Sequence, residues 1–351
     1  MTHKIRLGLV GLRFGLWASR RIIAHPELPV RLERICDLDL AHAETCSKEL
    51  GVAVAPNLQA MLDDDQIDAI CLFTEPTGRA NLIRKVIRAG KDVMTTKPFE
   101  TDPQAAWDIL QEARSLGRIV HLNSPNARPF GEMAVIRDWV DSGSIGTPVV
   151  AQANAWANYG ATKPDGTWYD DPRRCPAAPV FRIGIYMLNN LLQVFGEPVE
   201  VQVTTQRFQT KRPTPDNASL TISFADGGIV NIVASFAVGG PDNYKNSMTI
   251  GGTKGVIYFA TGPKARDGGV TEILLSTDDR LERRELTGVS GEYDWDFFAQ
   301  RVRGEIKQDV TTPLDIVRAI HVVRAMSAAE LSGESVRVEK FQPAVQPHAS
   351  V

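Results

Sequence analysis

Within VFRIGIYMLNNLLQV, residues 180–194, Arg182, Tyr186, Asn189 and Gln193 recur at i, i+4, i+7 and i+11. On a helix that spacing makes one stripe. Phe181, Ile185, Met187, Leu188, Leu191, Leu192 and Val194 flank it as an apolar wall. A solvated helix face is built from Lys and Glu, whereas this stripe holds a guanidinium, a phenol and amides. Such groups suit proton transfer and hydroxyl recognition. Tyr186 is the titratable phenol of the stripe, and Asn189 or Asn190 would bind a substrate hydroxyl, unless those amides serve buried backbone instead. Oxidising an alcohol requires a base within hydrogen-bond reach of its proton. A free tyrosine, pKa about 10, is only about 0.1% phenolate at pH 7. A neighbouring cation lowers that pKa by roughly 1 to 3 units, and Lys97 and Arg182 are the cations expected to do so. Two such charges would also favour an anionic substrate, such as a sugar acid.

A second group of residues has the spacing of a dinucleotide site. GLVGLRFG, residues 8–15, follows a strand-like run and opens a helical pattern, where a G-x-G-x-x-G turn belongs. Gly11 supplies the tight turn, Gly15 the close packing, and Leu12, Arg13 and Phe14 lie between them. Asp37 ends the next strand-like run, where a carboxylate accepts hydrogen bonds from an adenosine ribose and repels a 2'-phosphate. NAD is therefore the expected cofactor. Arg13, able to pair with Asp37 or to hold a phosphate, keeps NADP as the alternative. Thr74 and Lys97 each follow a later strand-like run, at the sheet edge where doubly wound folds bind ligands. Pro98 restricts Lys97 to extended backbone.

These residues need elements to position them. IRLGLV, VRLERIC, DAICLF, DVMTT and RIVHLN read as strands between residues 5 and 123, alternating with helical stretches. In TDPQAAWDILQEARSLG, Asp102 suits the N-cap, Pro103 the first turn and Gly117 the stop. The alternation implies βαβ units and a parallel, doubly wound sheet. After a helix near 130–142 come a long strand, TPVVAQANAWANY, then the helix that carries Tyr186, then strand-like runs in hairpin order. That order predicts a largely antiparallel sheet open on at least one face. Thr312-Pro313 should begin a helix that stops at Gly333. The expected division is 1–124, 125–340 and a tail, 341–351.

The 351 residues suit two domains, and a formal net charge of -3 offers nothing to nucleic acid or an anionic membrane. Four cysteines with no CxxC pair, and no signal-peptide pattern, point to a cytoplasmic protein. No apolar run approaches the roughly 18 residues that span a bilayer. The six histidines are scattered without metal-ligand spacing, so no metal is expected, and His121 reads as a core residue. Asn126 and Arg128, in NSPNARPF, and Trp168 in a stretch with Trp156, Tyr159 and Tyr169, are the remaining candidates for substrate contact.

The order of these motifs resembles the glucose-fructose oxidoreductase, inositol dehydrogenase and MocA family over nearly the whole chain. It runs from the glycine turn and Asp37 through Lys97-Pro98 and DSGSIGTPVVAQANA to WYDDP, RIGIYMLNNLLQVFGEPVEV and GTKGVIYF. The GIY…N form is similar to the glucose-fructose oxidoreductase branch, with tyrosine in place of histidine. The resemblance implies an N-terminal Rossmann domain and a C-terminal α+β domain whose open sheet joins subunits into a homodimer or homotetramer. It implies NAD(P)-dependent hydride transfer to or from a sugar, polyol or related hydroxyl compound, with Tyr186 at the proton-transfer position and Lys97 as the E-K-P lysine. Four departures accompany it. Thr96 replaces the glutamate, Arg182 an aspartate, Ala178-Pro179 a glycine pair, and the glycine turn is altered. They leave room for a catalytically silent descendant that binds a nucleotide or sugar, or for a transient hydride transfer whose net reaction is elimination or hydrolysis.

Overall fold

The computed structural model describes residues 3–159, 163–239, 244–262, 269–287, 292–307 and 310–342. The chain divides into two compact units, and the division is interleaved. Residues 1–100, 108–128 and 291–313 form the first, and residues 101–107, 129–290 and 314–351 the second. This differs from the expected contiguous boundary near 124, because 291–313 group with the first unit.

The first unit runs β1 (Ile5–Val10), α1 (Leu12–Ala24), β2 (Val30–Cys36), α2 (Leu40–Leu50), β3 (Ala53–Val54), α3 (Leu58–Leu62), β4 (Ala69–Leu72), α4 (Arg79–Arg88), β5 (Asp92–Thr95), α5 (Pro103–Ser115) and β6 (Val120–Leu122). Its six strands pair in parallel in the order β3-β2-β1-β4-β5-β6. Every residue of β4 and β5 is buried, as expected for strands covered on both faces. Local chemistry sets the helix ends. The Asp39 carboxylate accepts the His42 N–H at 3.0 Å, and Asp102 accepts the Gln104 and Ala105 amides at 2.8 and 3.0 Å.

The second unit continues with α6 (Glu132–Asp141), β7 (Pro148–Ala157), a 3-10 turn (Trp168–Asp170), a π-helical turn (Val180–Gly184), α7 (Ile185–Phe195), β8 (Pro198–Gln206), β9 (Asn217–Phe224), β10 (Ile229–Ser235), β11 (Tyr244–Gly252), β12 (Gly255–Thr261), β13 (Val270–Thr277) and β14 (Leu281–Thr287). Next, α8 (Trp295–Val302) returns to the first unit. It is followed by α9 (Pro313–Ser332) and β15 (Val336–Arg337). The nine strands order as β14-β13-β12-β11-β7-β10-β9-β8-β15, antiparallel except for β7 with β10. One face packs Ile136, Trp139, Leu188, Leu191, Val322 and Met326 from α6, α7 and α9 into the core. The other carries a row in register, Thr221–Asn231–Gln152–Thr249–Tyr258, with Tyr258 45% exposed.

The strand β14, LERRELT, is not among the expected strands. It lies at the sheet edge, where Arg283 and Arg284 pair with Glu272, Glu285 and Glu282, and charge there discourages further strand addition. Phe341, expected in a tail, packs 5.4 Å from Trp107 and 5.5 Å from His321, ring to ring. Residues 343–351 lie outside the described residues. All four cysteines are buried free thiols, and no described helix is long and apolar enough to cross a membrane.

His121 is the core residue expected of it, 1% exposed and packed edge-on to Phe298 at 5.6 Å. Burial pushes its imidazole pKa down to about 4. The unfolded chain, with an ordinary histidine near 6.5, then takes up the proton first as pH falls. The stabilisation held by the neutral ring is complete above about pH 6.5 and is lost toward pH 4. Urea unfolding should show a fall on the order of 2 kcal/mol between pH 8 and pH 5, and His121→Phe should flatten that part of the profile.

Candidate functional site

In the first unit, β1 runs into a turn that only glycine can make. Gly11 has φ +93°, and a Cβ there would sit 2.7 Å from the Phe73 carbonyl oxygen. The helix α1 begins at the next residue, and Gly11 in the N-cap position offers it no side chain. Asp37 reaches across to it: one carboxylate oxygen accepts the Leu12 N–H at 2.6 Å and the other the Asp39 N–H at 3.0 Å. The acid is thereby fixed at the carboxyl end of β2, beside the glycine turn. The Leu12 side chain is buried, whereas Arg13 and Phe14 are exposed. Phe14 stands edge-on to Phe73 at 5.6 Å. The pairing of Arg13 with Asp37 does not form among the described residues. These residues fit a dinucleotide. The amides of α1 beyond Leu12 suit phosphate, Asp37 suits a ribose diol, and Gly11 makes the tight turn that joins β1 to α1.

Thr74 and Lys97 follow β4 and β5, and a residue that sequence reasoning missed ties their loops together. Arg79, the first residue of α4, is 1% exposed. Its guanidinium donates to the carbonyl oxygens of Thr74 and Pro98, and to those of Thr96 at 2.6 Å and Phe99 at 3.1 Å. Glu100, 2% exposed, accepts the Gly78 and Ala80 amides at 3.1 and 2.9 Å, closing the start of the same helix. Lys97 is half-buried, and its N–H meets the Asn123 side chain at 3.3 Å. In the sequence Arg79 looks like Arg84 and Arg88 further along α4. Only its burial distinguishes it.

In the second unit, the stripe through Tyr186 is not one straight row. Arg182 belongs to the π turn and Tyr186 to the first turn of α7, so their spacing of four crosses a change of helical pitch. Tyr186, Asn189 and Asn190 are 8, 3 and 9% exposed, and the Gln193 amide donates to the Asn189 carbonyl at 3.3 Å. Arg182, expected beside Tyr186 as an electrostatic partner, lies among rings. Its guanidinium is 3.9 Å from the Tyr169 ring centre, 4.8 Å from Phe236 and 5.0 Å from Tyr159. Burial raises the Tyr169 pKa, against the pull of that cation.

The other candidates are placed differently. Trp168 occupies the 3-10 turn, its ring 4.1 Å from Tyr169 and edge-on to Phe181. Asn126 bridges to Asn123 and accepts the Thr311 hydroxyl on its carbonyl. Arg128 is engaged within the first unit, its Nε on the buried Asp294 carboxylate at 2.7 Å and its guanidinium 4.5 Å over Phe297. Asp294 also caps α8, so Arg128 fastens its own loop to that helix. That partner, 166 positions away, leaves no local mark in the sequence.

Comparison with known proteins fits this arrangement. Residues 5–124 match the model of an oxidoreductase family with an NAD-binding Rossmann fold, and residues 133–258 match the GFO/IDH/MocA C-terminal domain. The chain belongs to the GFO/IDH/MocA family. Among curated relatives, an uncharacterized oxidoreductase of Schizosaccharomyces pombe is 25% identical over 192 residues, 54% of this chain and 50% of that one. The D-glucoside 3-dehydrogenase of Escherichia coli K12 is 25% identical over 181 residues, 51% of each. The chain thus spans about half the length of the curated relatives it matches. A levoglucosan dehydrogenase in complex with NADH and L-sorbose superposes with a TM-score of 0.76 at 17% identity, over 97% of this chain and 100% of that one. At that identity the likeness is one of fold.

Arg79→Lys keeps the charge but loses the planar fork, so the four carbonyls cannot all be served. The replacement should cost about 2 to 4 kcal/mol in urea unfolding, since buried polar groups lose their partners.

Proposed function

We propose that the protein is an NAD-dependent oxidoreductase that moves a hydride between nicotinamide and a hydroxyl-bearing carbon of a sugar or polyol. The observation that carries this reading is the Asp37 carboxylate at the end of β2, which accepts the first amide of α1 at 2.6 Å beside the Gly11 turn. The curated relative named D-glucoside 3-dehydrogenase supports the substrate class.

When bound, NAD supplies the hydride acceptor. Gly11 and the amides of α1 beyond Leu12 would hold the pyrophosphate, and Arg13, Phe14 and Thr74 would be its further contacts. Asp37 would accept the adenosine ribose hydroxyls and disfavour a 2'-phosphate. On the same reading the Tyr186 phenol oxygen takes the substrate's hydroxyl proton, and returns it in the reduction direction. Asn189, Asn190 and Trp168 bind the sugar, and Lys97, at the carboxyl end of β5, is a cofactor contact. Asn126 and Arg128 act at one remove, through the loop they hold. A second copy of the chain would pack on the exposed face of the nine-stranded sheet. The free, buried thiols accord with a cytoplasmic setting.

A silent descendant is the second reading, favoured by Thr96, 7% exposed with its carbonyl held by Arg79 where the family carries glutamate. Two measurements separate the readings. Fluorescence titration should show NADH binding more tightly than NADPH, and failure of both at millimolar concentration would remove hydride chemistry altogether. With a panel of sugars and polyols, NADH should form steadily and Tyr186→Phe should lower its rate about 10²- to 10⁴-fold. Cofactor binding with no NADH from any of them would favour the silent reading.

A further inference from the structure

The first unit carries a cavity well away from the glycine turn. Its volume is about 150 Å³, and it lies between α1 and the segment that enters α8. At 1.5 Å of rise per residue, Arg21 is about 14 Å along α1 from Leu12, so the cavity is separate from the dinucleotide site. Trp17, Tyr293 and Trp295 form much of its wall. Ala18 and Leu28 add aliphatic surface, and Arg21 and Glu292 add charge.

The rings are set in place without a ligand. Tyr293 and Trp295 are both buried and stack on each other at 5.4 Å. Tyr293 meets Phe73 at 5.4 Å, Phe73 meets Phe14 at 5.6 Å, and Phe14 meets Trp17 at 5.4 Å. An unbroken chain of rings thus joins one side of the cavity to the other. Asp294, between the two stacked residues, accepts the Phe297 amide at 3.1 Å and the Arg128 guanidinium at 2.7 Å. A site held in this way binds without the cost of ordering itself.

The walls narrow the occupant. A cavity of this size holds one six-membered ring, as an engineered apolar cavity of like volume holds benzene. Aromatic walls favour an aromatic ring, in edge or offset contact. Arg21 and Glu292 are partly exposed, and one hydrogen bond at 3.4 Å joins them. That is a long contact, and among the described residues it takes a single guanidinium N–H. A hydroxyl donates and accepts at once, so it suits both partners: its proton goes to the carboxylate and its oxygen accepts from the guanidinium. The pair balances in charge, which favours a neutral ring over a carboxylate or an amine. A pyranose, with hydroxyls all round its rim, would turn several of them toward Ala18, Leu28 and ring carbons, where they lack partners.

We propose that this cavity binds a neutral monocyclic phenol, its ring among Trp17, Tyr293 and Trp295 and its hydroxyl between Arg21 and Glu292. The site does not depend on the oxidoreductase reading.

Calorimetric titration of the full-length protein with p-cresol, toluene, 4-methylbenzoate and D-glucose tests it. p-Cresol should bind with a Kd on the order of 1 mM or below, ordinary for a ligand of so few atoms. Toluene, which has the ring without the hydroxyl, should bind about 10-fold more weakly, and 4-methylbenzoate, which meets Glu292 with a like charge, should also bind more weakly than p-cresol. Glu292→Gln and Arg21→Met should each weaken p-cresol binding about 10-fold. Their urea midpoints should stay unchanged, because an exposed ion pair adds little to stability. p-Cresol binding no tighter than toluene, binding that survives both substitutions, or no binding at tens of millimolar would each overturn the proposal. Competitive displacement of p-cresol by D-glucose would overturn the choice of ring and make the cavity a sugar site.

Discussion

The guanidinium of Arg79 gathers carbonyls from the loops after two neighbouring strands, and the geometry of the first unit's sheet edge depends on it. Parallel sheets end in loops whose backbone groups have left the ladder and need other partners. Here one buried cation serves four of them, from Thr74 to Phe99, while Glu100 serves amides at the start of α4. Thr74 and Lys97 do not find their positions separately. They are set by a group that holds the main-chain carbonyls of their loops.

The second unit solves a related problem with rings. A π turn widens the helical path at Val180–Gly184, and the one residue that emerges from an otherwise buried stretch is an arginine. An aspartate, which the family resemblance leads one to expect at that position, would be repelled by the faces of three aromatic rings, whereas a guanidinium is attracted by them. The substitution and the surrounding Tyr159, Tyr169 and Phe236 therefore make sense together. Cage and cation form one feature, and the same altered charge that sets this chain apart from the family pattern has a supporting structure built around it.

Much of the architecture could be read from the sequence because it is written in local periodicity. Alternating apolar runs and capped helices mark β1, β2, β4, β5 and β6, and Asp102 and Gly117 sit where their types require. Gly11 and Asp37 were also legible, since a tight turn and a strand-end acid have fixed spacing. What escaped depends on distance or on burial. β14 is rich in charge because it is an edge strand, so propensity reads it as a loop. Arg79 differs from Arg84 only in what encloses it. Arg128 resembles a ligand-binding arginine until Asp294 is brought against it. The stripe through Tyr186 assumed a single helical pitch, and a π turn has no marker in composition.

The return of α8 to the first unit has a consequence for how the chain matures as it is made. Tyr293, Trp295 and Phe298 belong to the same core as Leu7, Leu9 and Ile35, yet more than 250 positions separate them. Synthesis proceeds from the N-terminus, and domains ordinarily fold as they emerge. The six-stranded sheet therefore leaves the ribosome with part of its apolar surface uncovered, and stays so while the eight strands from β7 to β14 are produced. Its closing pieces arrive almost last. For that interval the nascent first unit is a natural client for chaperones, and a message truncated near codon 290 would yield a chain whose earliest-made sheet can never be finished.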